Sequence, residues 1–221
     1  MKTFVVGDIH GRRAQLAALL QALPREEASD TLVFLGDLID RGPDAPGVVS
    51  DVLELQRENP ERVVTLRGNH EQMMLDFIDE DSRLWLSPVT GGDLWLSPVT
   101  GGDQTFQQYT LSHLRVETEE DFENIRRRIE ESVPAEHLEF FRRMPLYHED
   151  EYALYVHAGL DHGKHPRDTD AHQLLWTRDV EFYKKYRGKP CVFGHTPTAF
   201  PALARSPRAS RHLHFTQRHR D

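Results

Sequence analysis

The chain has 221 residues and a mass of 25.6 kDa, enough for one sizeable domain or marginally two small ones. Its 38% apolar and 29% charged residues exclude a disordered tail, and no window approaches the ~18 uninterrupted apolar residues of a membrane span. A formal charge of -9 argues against general nucleic-acid binding, and the single cysteine, Cys191, excludes an internal disulfide framework and suits a reducing cytoplasm. Met1 to Asp8 carries no basic stretch leading into a long apolar run. We therefore expect a cytoplasmic monomer without a secretory signal and without a membrane or nucleic-acid partner.

The first 70 residues alternate strand and helix patterns. Thr3 to Val6 reads as a short buried strand stopping at Gly7. Leu16, Leu19, Leu20 and Leu23 then recur at helical spacing up to Pro24. A second strand runs from Thr31 to Leu35 and stops at Gly36. Val48, Val49, Val52, Leu53 and Leu55 mark a helix that ends near Asn59-Pro60, and Arg62 to Leu66 is a third strand before Gly68. This order predicts parallel βαβ units, hence an α/β fold.

Farther along, Leu84 to Asp93 recurs identically as Leu94 to Asp103, which we read as a tandem duplication inside a loop (84–103). At least one of its tryptophans, Trp85 or Trp95, is expected to lack a native pocket. Residues 104–144 are helical in pattern and highly charged, as in a solvated cap. Strand patterns return at Ala153 to Val156 and Cys191 to Phe193, with Cys191 expected to be an inert core thiol. His162 and His165 have ligand-like spacing in a polar loop and are expected to be solvated.

Each predicted strand ends in a polar cluster, where ligands gather in open α/β sheets. Asp8 and His10 sit one residue apart in a glycine-flanked turn and can address one cation, with Asp37 from the neighbouring strand. Asn69, His157 and His195 add an amide oxygen and two imidazoles. Six such donors suit two divalent ions bridged by Asp37. Mixed carboxylate and imidazole ligation without thiolate points to Mn, Fe or Zn rather than calcium, with Mn the first choice. Two ions about 3.5–4 Å apart can activate a water and hold an in-line phosphoryl displacement. Arg41, Arg67 and Arg178 are the guanidinium candidates for phosphate oxygens. His70 is placed to protonate a leaving alkoxide, with Asp40 orienting it.

The motifs Gly7-Asp-Ile-His-Gly11, Gly36-Asp-Leu-Ile-Asp-Arg-Gly42, Gly68-Asn-His-Glu71, His157-Ala-Gly159 and Gly194-His-Thr-Pro197 resemble the metallophosphoesterase signature of the phosphoprotein phosphatases. Arg67 to Met74 and Trp176 to Asp179 resemble the bacterial and phage-type serine/threonine phosphatases in particular. The resemblance covers residues 1–200 as one catalytic domain and implies a four-layer α/β/β/α sandwich of two mixed sheets with a mostly helical cap segment. It also implies one metal on Asp8, His10 and Asp37 and a second on Asp37, Asn69, His157 and His195. Arg41, Arg67 and Arg178 would then hold phosphate, and Asp40 and His70 would form the proton-donating pair. The implied substrate is a phosphorylated protein or a small phosphoester. The sister branch, symmetrical diadenosine tetraphosphate hydrolases, commonly lacks the aspartate found here as Asp40 and often has Asp in place of Glu71.

The end of the chain departs from this pattern. Residues 201–221 hold five arginines and one acid, and the closing Ile-Asp-Thr-Gly-like turn of the family is missing. We read this stretch as an out-of-frame product or, alternatively, a basic arm. With the duplicated loop, it keeps open a second reading: a catalytically impaired homologue that binds phosphorylated partners without turnover.

Overall fold

The computed structural model describes residues 1–79, 95–115, 119–179, 182 and 186–197. The first copy of the repeat, with Trp85, and the basic stretch 201–221 lie outside the described residues. The chain divides into two compact units, Met1–Pro145 and Leu146–Asp221, each with its own small sheet.

In the first unit, β1 (Thr3–Val6), β2 (Thr31–Phe34) and β3 (Val63–Thr65) pair in parallel in that order. Thr3 lies opposite Thr31, and Leu32 opposite Val63. Leu32, Val33 and Phe34 of the central strand are fully buried, the pattern of a strand covered on both faces. Helix α1 (Arg13–Ala22) connects β1 to β2, and α2 (Ala45–Glu58) connects β2 to β3. Asp44 caps α2 by accepting from Gly47 N at 2.9 Å, and Pro46 occupies the first turn. Val48, Val49, Val52 and Leu53 of α2 face the core. The stripe expected on α1 is only partly used: Leu16 is buried, whereas Leu19 is 37% exposed. β1 is an edge strand whose first three residues are only half-buried, so it offers α1 little apolar surface.

Four more helices follow β3: α3 (Asn69–Ile78), α4 (Gly102–Thr110), α5 (Glu119–Ser132) and α6 (Ala135–Arg143). The last three form the segment read as a solvated cap, and their apolar faces are in fact covered. Phe106, Ile129, Leu138, Phe140 and Phe141 are all buried. α4 packs on α2, α5 packs on α3, and α6 packs on both. Each such side chain contributes roughly 1.5–3 kcal/mol of burial, so this segment is part of the core of the unit.

In the second unit, β4 (Tyr147–Glu149) runs antiparallel to β5 (Leu154–Val156), and β6 (Cys191–Val192) runs parallel to β5. Asp150 closes the hairpin by accepting from Tyr152 N and Ala153 N at 2.7 and 2.8 Å. Helix α7 (Ala171–Trp176) is capped by Asp170. Val156, Leu160, Leu174 and Phe182 form the core of this unit, flanked by Cys191 and Phe193. Burial pushes the Cys191 thiol up to about 12, which keeps it protonated. Among the described residues, the first sheet is wholly parallel and the second is mixed. No helix among them is long and apolar enough to cross a membrane.

Candidate active site

Parallel pairing brings the carboxyl ends of β1, β2 and β3 to one sheet edge, where the turns after them meet. Backbone bonds fasten these turns together. Ile9 N and His10 N donate to Asp37 O at 2.9 and 2.8 Å, Gly11 N donates to Leu38 O at 2.7 Å, and Asp44 N donates to Gly11 O at 3.0 Å. Glu71, in the first turn of α3, is fully buried. Its carboxylate accepts from Asp37 N and Gly68 N at 2.9 Å and from Leu38 N at 2.7 Å.

The same turns hold strained backbone. Of the six non-glycine residues with positive φ among the described residues, four lie here: His10 (48°), Asp37 (53°), Asp40 (71°) and Arg41 (64°). A fifth, His195 (62°), belongs to the second unit. Side chains disfavour this conformation, which survives where surrounding bonds over-determine it and clusters at functional sites. Gly36 has a φ of 98°, and a Cβ there would lie 2.3 Å from Gly68 N, so only glycine lets the second and third turns touch.

Within this frame His10, Asp37 and His70 each offer a ligand atom, all within 4.8 Å of one another. His10 Nδ1 donates to Ile39 O at 2.8 Å, which leaves Nε2 as the lone-pair nitrogen, 3.7 Å from Asp37 Oδ2. Burial, with repulsion from His70 and Arg41, pushes His10 down to about 4, so it stays neutral. Burial pushes the Asp37 carboxyl well above the usual carboxylate range, with His70 opposing the shift and Asp8 and Glu71 adding to it. A neutral imidazole oriented through its other nitrogen, beside a buried carboxylate that needs a counter-charge, is the donor set a divalent cation takes. Asp8 is exposed at the end of β1, close enough for its charge to be felt by both groups. Asn69 is buried at the start of α3.

His70 sits beside this cluster, with its Nε2 3.9 Å from Asp37 Oδ2. Its Nδ1 donates to Asp40 Oδ2 at 2.6 Å, both residues being buried. Burial works to lower the His70 pKa, but the carboxylates of Asp37 and Asp40 overcome it and raise the value. Arg41 reaches both imidazoles: Nη1 donates to His10 Nε2 at 2.9 Å and Nη2 to His70 Nε2 at 3.1 Å. Arg67 is turned towards α6 instead. Its Nε and Nη2 donate to Phe141 O and Arg142 O at 3.0 and 2.6 Å, and its Nη1 donates to Gln72 Oε1 at 2.9 Å. Two of its five N–H groups thus close the end of a helix, because terminal helix carbonyls lack partners within the helix, and a third is held by Gln72.

The second unit holds the other expected donors. His157 is fully buried at the end of β5, and its Nε2 lies 3.2 Å from His195 Nδ1. Gly194 N donates to His157 O at 2.8 Å, which ties the two motifs together. Arg178 is exposed just after α7. The two remaining histidines singled out from the sequence pair with carboxylates: His162 with Asp179 at 2.8 Å and His165 with Glu149 at 3.0 Å.

Two residues of this neighbourhood escaped the sequence reading. Trp95 Nε1 donates to both Asp40 oxygens, at 3.2 and 3.1 Å, and Thr105 Oγ1 donates to Asp40 Oδ1 at 2.7 Å. Trp95 is fully buried, so the second copy of the repeat gives its tryptophan a pocket. A tryptophan and a threonine, each with a polar handle that burial obliges to find a partner, were the available signal.

The family model described as calcineurin-like phosphoesterase matches residues 1–199. The serine/threonine-protein phosphatase 1 of Salmonella typhimurium is 32% identical over 206 residues, covering 88% of this chain and 78% of that protein. The symmetrical bis(5'-nucleosyl)-tetraphosphatase of Pectobacterium carotovorum is 39% identical over 75 residues, 34% of this chain and 25% of that protein. Among solved structures, one superposes with a TM-score of 0.58 at 23% identity, over 87% of this chain and 74% of that one, a likeness of fold alone.

Proposed function

We propose, from the premise that this chain belongs to the calcineurin-like phosphoesterases, that it removes phosphate from phosphoserine or phosphothreonine in proteins. Membership makes it a hydrolase of phosphate esters that works with divalent metal ions. The substrate, the ligand set and the roles below are our reading. The observation that carries it is the buried Asp40–His70 pair, with Nδ1 on the carboxylate at 2.6 Å and Nε2 facing Arg41, a candidate phosphate ligand, at 3.1 Å.

Asp8, His10 and Asp37 would hold one cation, and Asp37, Asn69, His157 and His195 a second. Such ions supply charge neutralisation at the phosphoryl oxygens and an acidified water. The donor chemistry fits Mn, Fe or Zn. Arg41 would turn its fork from the two imidazoles to the phosphate, aided by Arg178 and by the two N–H groups that Arg67 keeps beyond its contacts with α6 and Gln72. With Arg41 turned to the phosphate and the ring protonated, His70 would give its Nε2 proton to the departing serine or threonine oxygen, while Asp40 fixes the ring and balances its charge. The 88% coverage by a serine/threonine phosphatase, against 34% by a dinucleoside tetraphosphatase, supports this branch.

Hydrolysis of the dinucleoside tetraphosphate is the second reading, favoured by the 39% identity over 75 residues to such an enzyme. The two separate in one assay with added Mn²⁺. A phosphoserine peptide should release phosphate faster than diadenosine tetraphosphate does, and Asp37→Asn should abolish turnover together with metal binding read by calorimetry. Faster cleavage of the dinucleotide would overturn the substrate assignment. Metal binding with no turnover of either would identify a binding homologue.

A further inference from the structure

We infer that Trp95 and Thr105 are positioning residues for the proton-donating pair, an inference that rests on the role given above to His70. Asp40 is fully buried, and among the described residues His70, Trp95 and Thr105 donate to its carboxylate. A carboxylate can accept about four hydrogen bonds, and which oxygen serves His70 depends on what the others accept. Thr105 Oγ1 takes Oδ1 at 2.7 Å, and the indole N–H of Trp95 straddles both oxygens at 3.1–3.2 Å. His70 Nδ1 keeps Oδ2 at 2.6 Å. Thr105 also accepts from Asp40 N at 2.9 Å, so one hydroxyl grips both ends of a residue whose φ is 71°.

The approach is close and built in. Thr100 Oγ1 donates to Trp95 O at 2.7 Å, and Phe77 lies against the indole with ring centroids 5.4 Å apart. A Cβ on Gly102 would fall 2.0 Å from Trp95 O, and one on Gly101 would fall 2.4 Å from Arg41 N. The two glycines just before the last residue of the repeated decapeptide therefore let its second copy press onto the Asp40–Arg41 turn. Neither Trp95 nor Thr105 touches the reacting atoms. Their effect passes through Asp40 to the ring of His70, whose Nδ1–H must stay on the carboxylate for Nε2 to face the leaving oxygen.

The test separates positioning from mere support of the fold by varying the leaving group. A serine alkoxide needs a proton to depart, whereas 4-nitrophenolate leaves without one. Trp95→Phe and Thr105→Val should lower kcat on a phosphoserine peptide by about tenfold or more, a part of the ~10²–10⁴-fold supplied by general acid catalysis. Turnover of 4-nitrophenyl phosphate and both KM values should hardly move. Thr105→Ser, which keeps the hydroxyl, should restore the peptide rate, and Trp95→Phe should cost nothing further in a His70→Ala background. Imidazole ¹⁵N spectra of the metal-free protein should show His70 losing its fixed Nδ1–H form in Trp95→Phe, a readout independent of turnover. A wild type that hydrolyses both esters, with variants slowed equally on the two and an unchanged His70 spectrum, would overturn the inference alone. A wild type inert towards every phosphomonoester would overturn the functional reading beneath it as well.

Discussion

Glu71→Gln probes how the three turns are held. The fully buried carboxylate receives four backbone N–H groups, Asp37 N and Gly68 N on Oε2 at 2.9 Å and Leu38 N and Ile39 N on Oε1 at 2.7 and 3.4 Å. Glutamine keeps one oxygen. Its better orientation retains Asp37 N and Gly68 N and sets an NH₂ group against Leu38 N. A hydrogen bond to a charged acceptor contributes about 1.5–3 kcal/mol, and a buried donor left unmet costs about 1–3 kcal/mol. Removing the charge relieves repulsion with Asp37, which offsets part of the loss. The hydrogen-bond losses should win, with a net cost of about 2–4 kcal/mol, a large share of the ~5–15 kcal/mol of a typical domain. Since Asp37 N sits on the same carboxylate, the loosened turn should also weaken Mn²⁺ binding by about tenfold or more, equivalent to roughly 1.4 kcal/mol. Urea unfolding followed by circular dichroism and manganese titration by calorimetry read the two effects. Stability within about 0.5 kcal/mol of wild type, together with unchanged metal affinity, would refute the reasoning.

Two further outcomes are expected. Gly42→Ala would place a Cβ 1.9 Å from His10 O, so the first two turns must part; thermal denaturation should show a loss of several kcal/mol, the scale of severe backbone clashes, and a Tm within a degree or two of wild type would contradict the close contact. His137 is buried, hydrogen-bonded to Tyr109 and Ser50, and its pKa is lowered by burial, with Glu136 opposing and Arg57 assisting. A folded-state value below the unfolded 6.5 means that the unfolded chain takes up the proton first, so stability present above pH 6.5 is lost as the pH falls. His137→Gln should flatten that acid-side loss in Tm measured from pH 7.5 to 5.5, and an identical slope would remove His137 from the account.

The first sheet was legible because short β-branched runs stop at glycines, and the polar clusters are consecutive in sequence: Asp8 with His10, Asp37 with Asp40 and Arg41, Asn69 with His70. Such motifs need no long-range information beyond parallel strand order. What escaped depends on partners far along the chain. Trp95 and Thr105 meet Asp40 across separations of 55 and 65 residues, and a repeated Gly-rich decapeptide looks like connection rather than site. Arg67 stands beside Asn69 in sequence, yet the carbonyls of Phe141 and Arg142, more than 70 residues on, draw its side chain away. β4 was missed because three residues with a half-exposed pattern carry no periodic signal. The stripe on α1 was overread because periodicity cannot say how much sheet waits beneath it.

The mutual bracing of the turns at the sheet edge also sets where this lineage can innovate. With Ile9, His10 and Gly11 tied to Asp37 and Leu38, a change in one turn is felt by its neighbours, so drift there is penalised collectively. The exposed ion pairs of α6, Glu136 with Arg57 and Arg142 with Asp79, are by contrast side-chain contacts that water screens, each worth about 1 kcal/mol or less. Substitutions on that exposed face should therefore be tolerated singly, whereas the turns at the sheet edge can change only together.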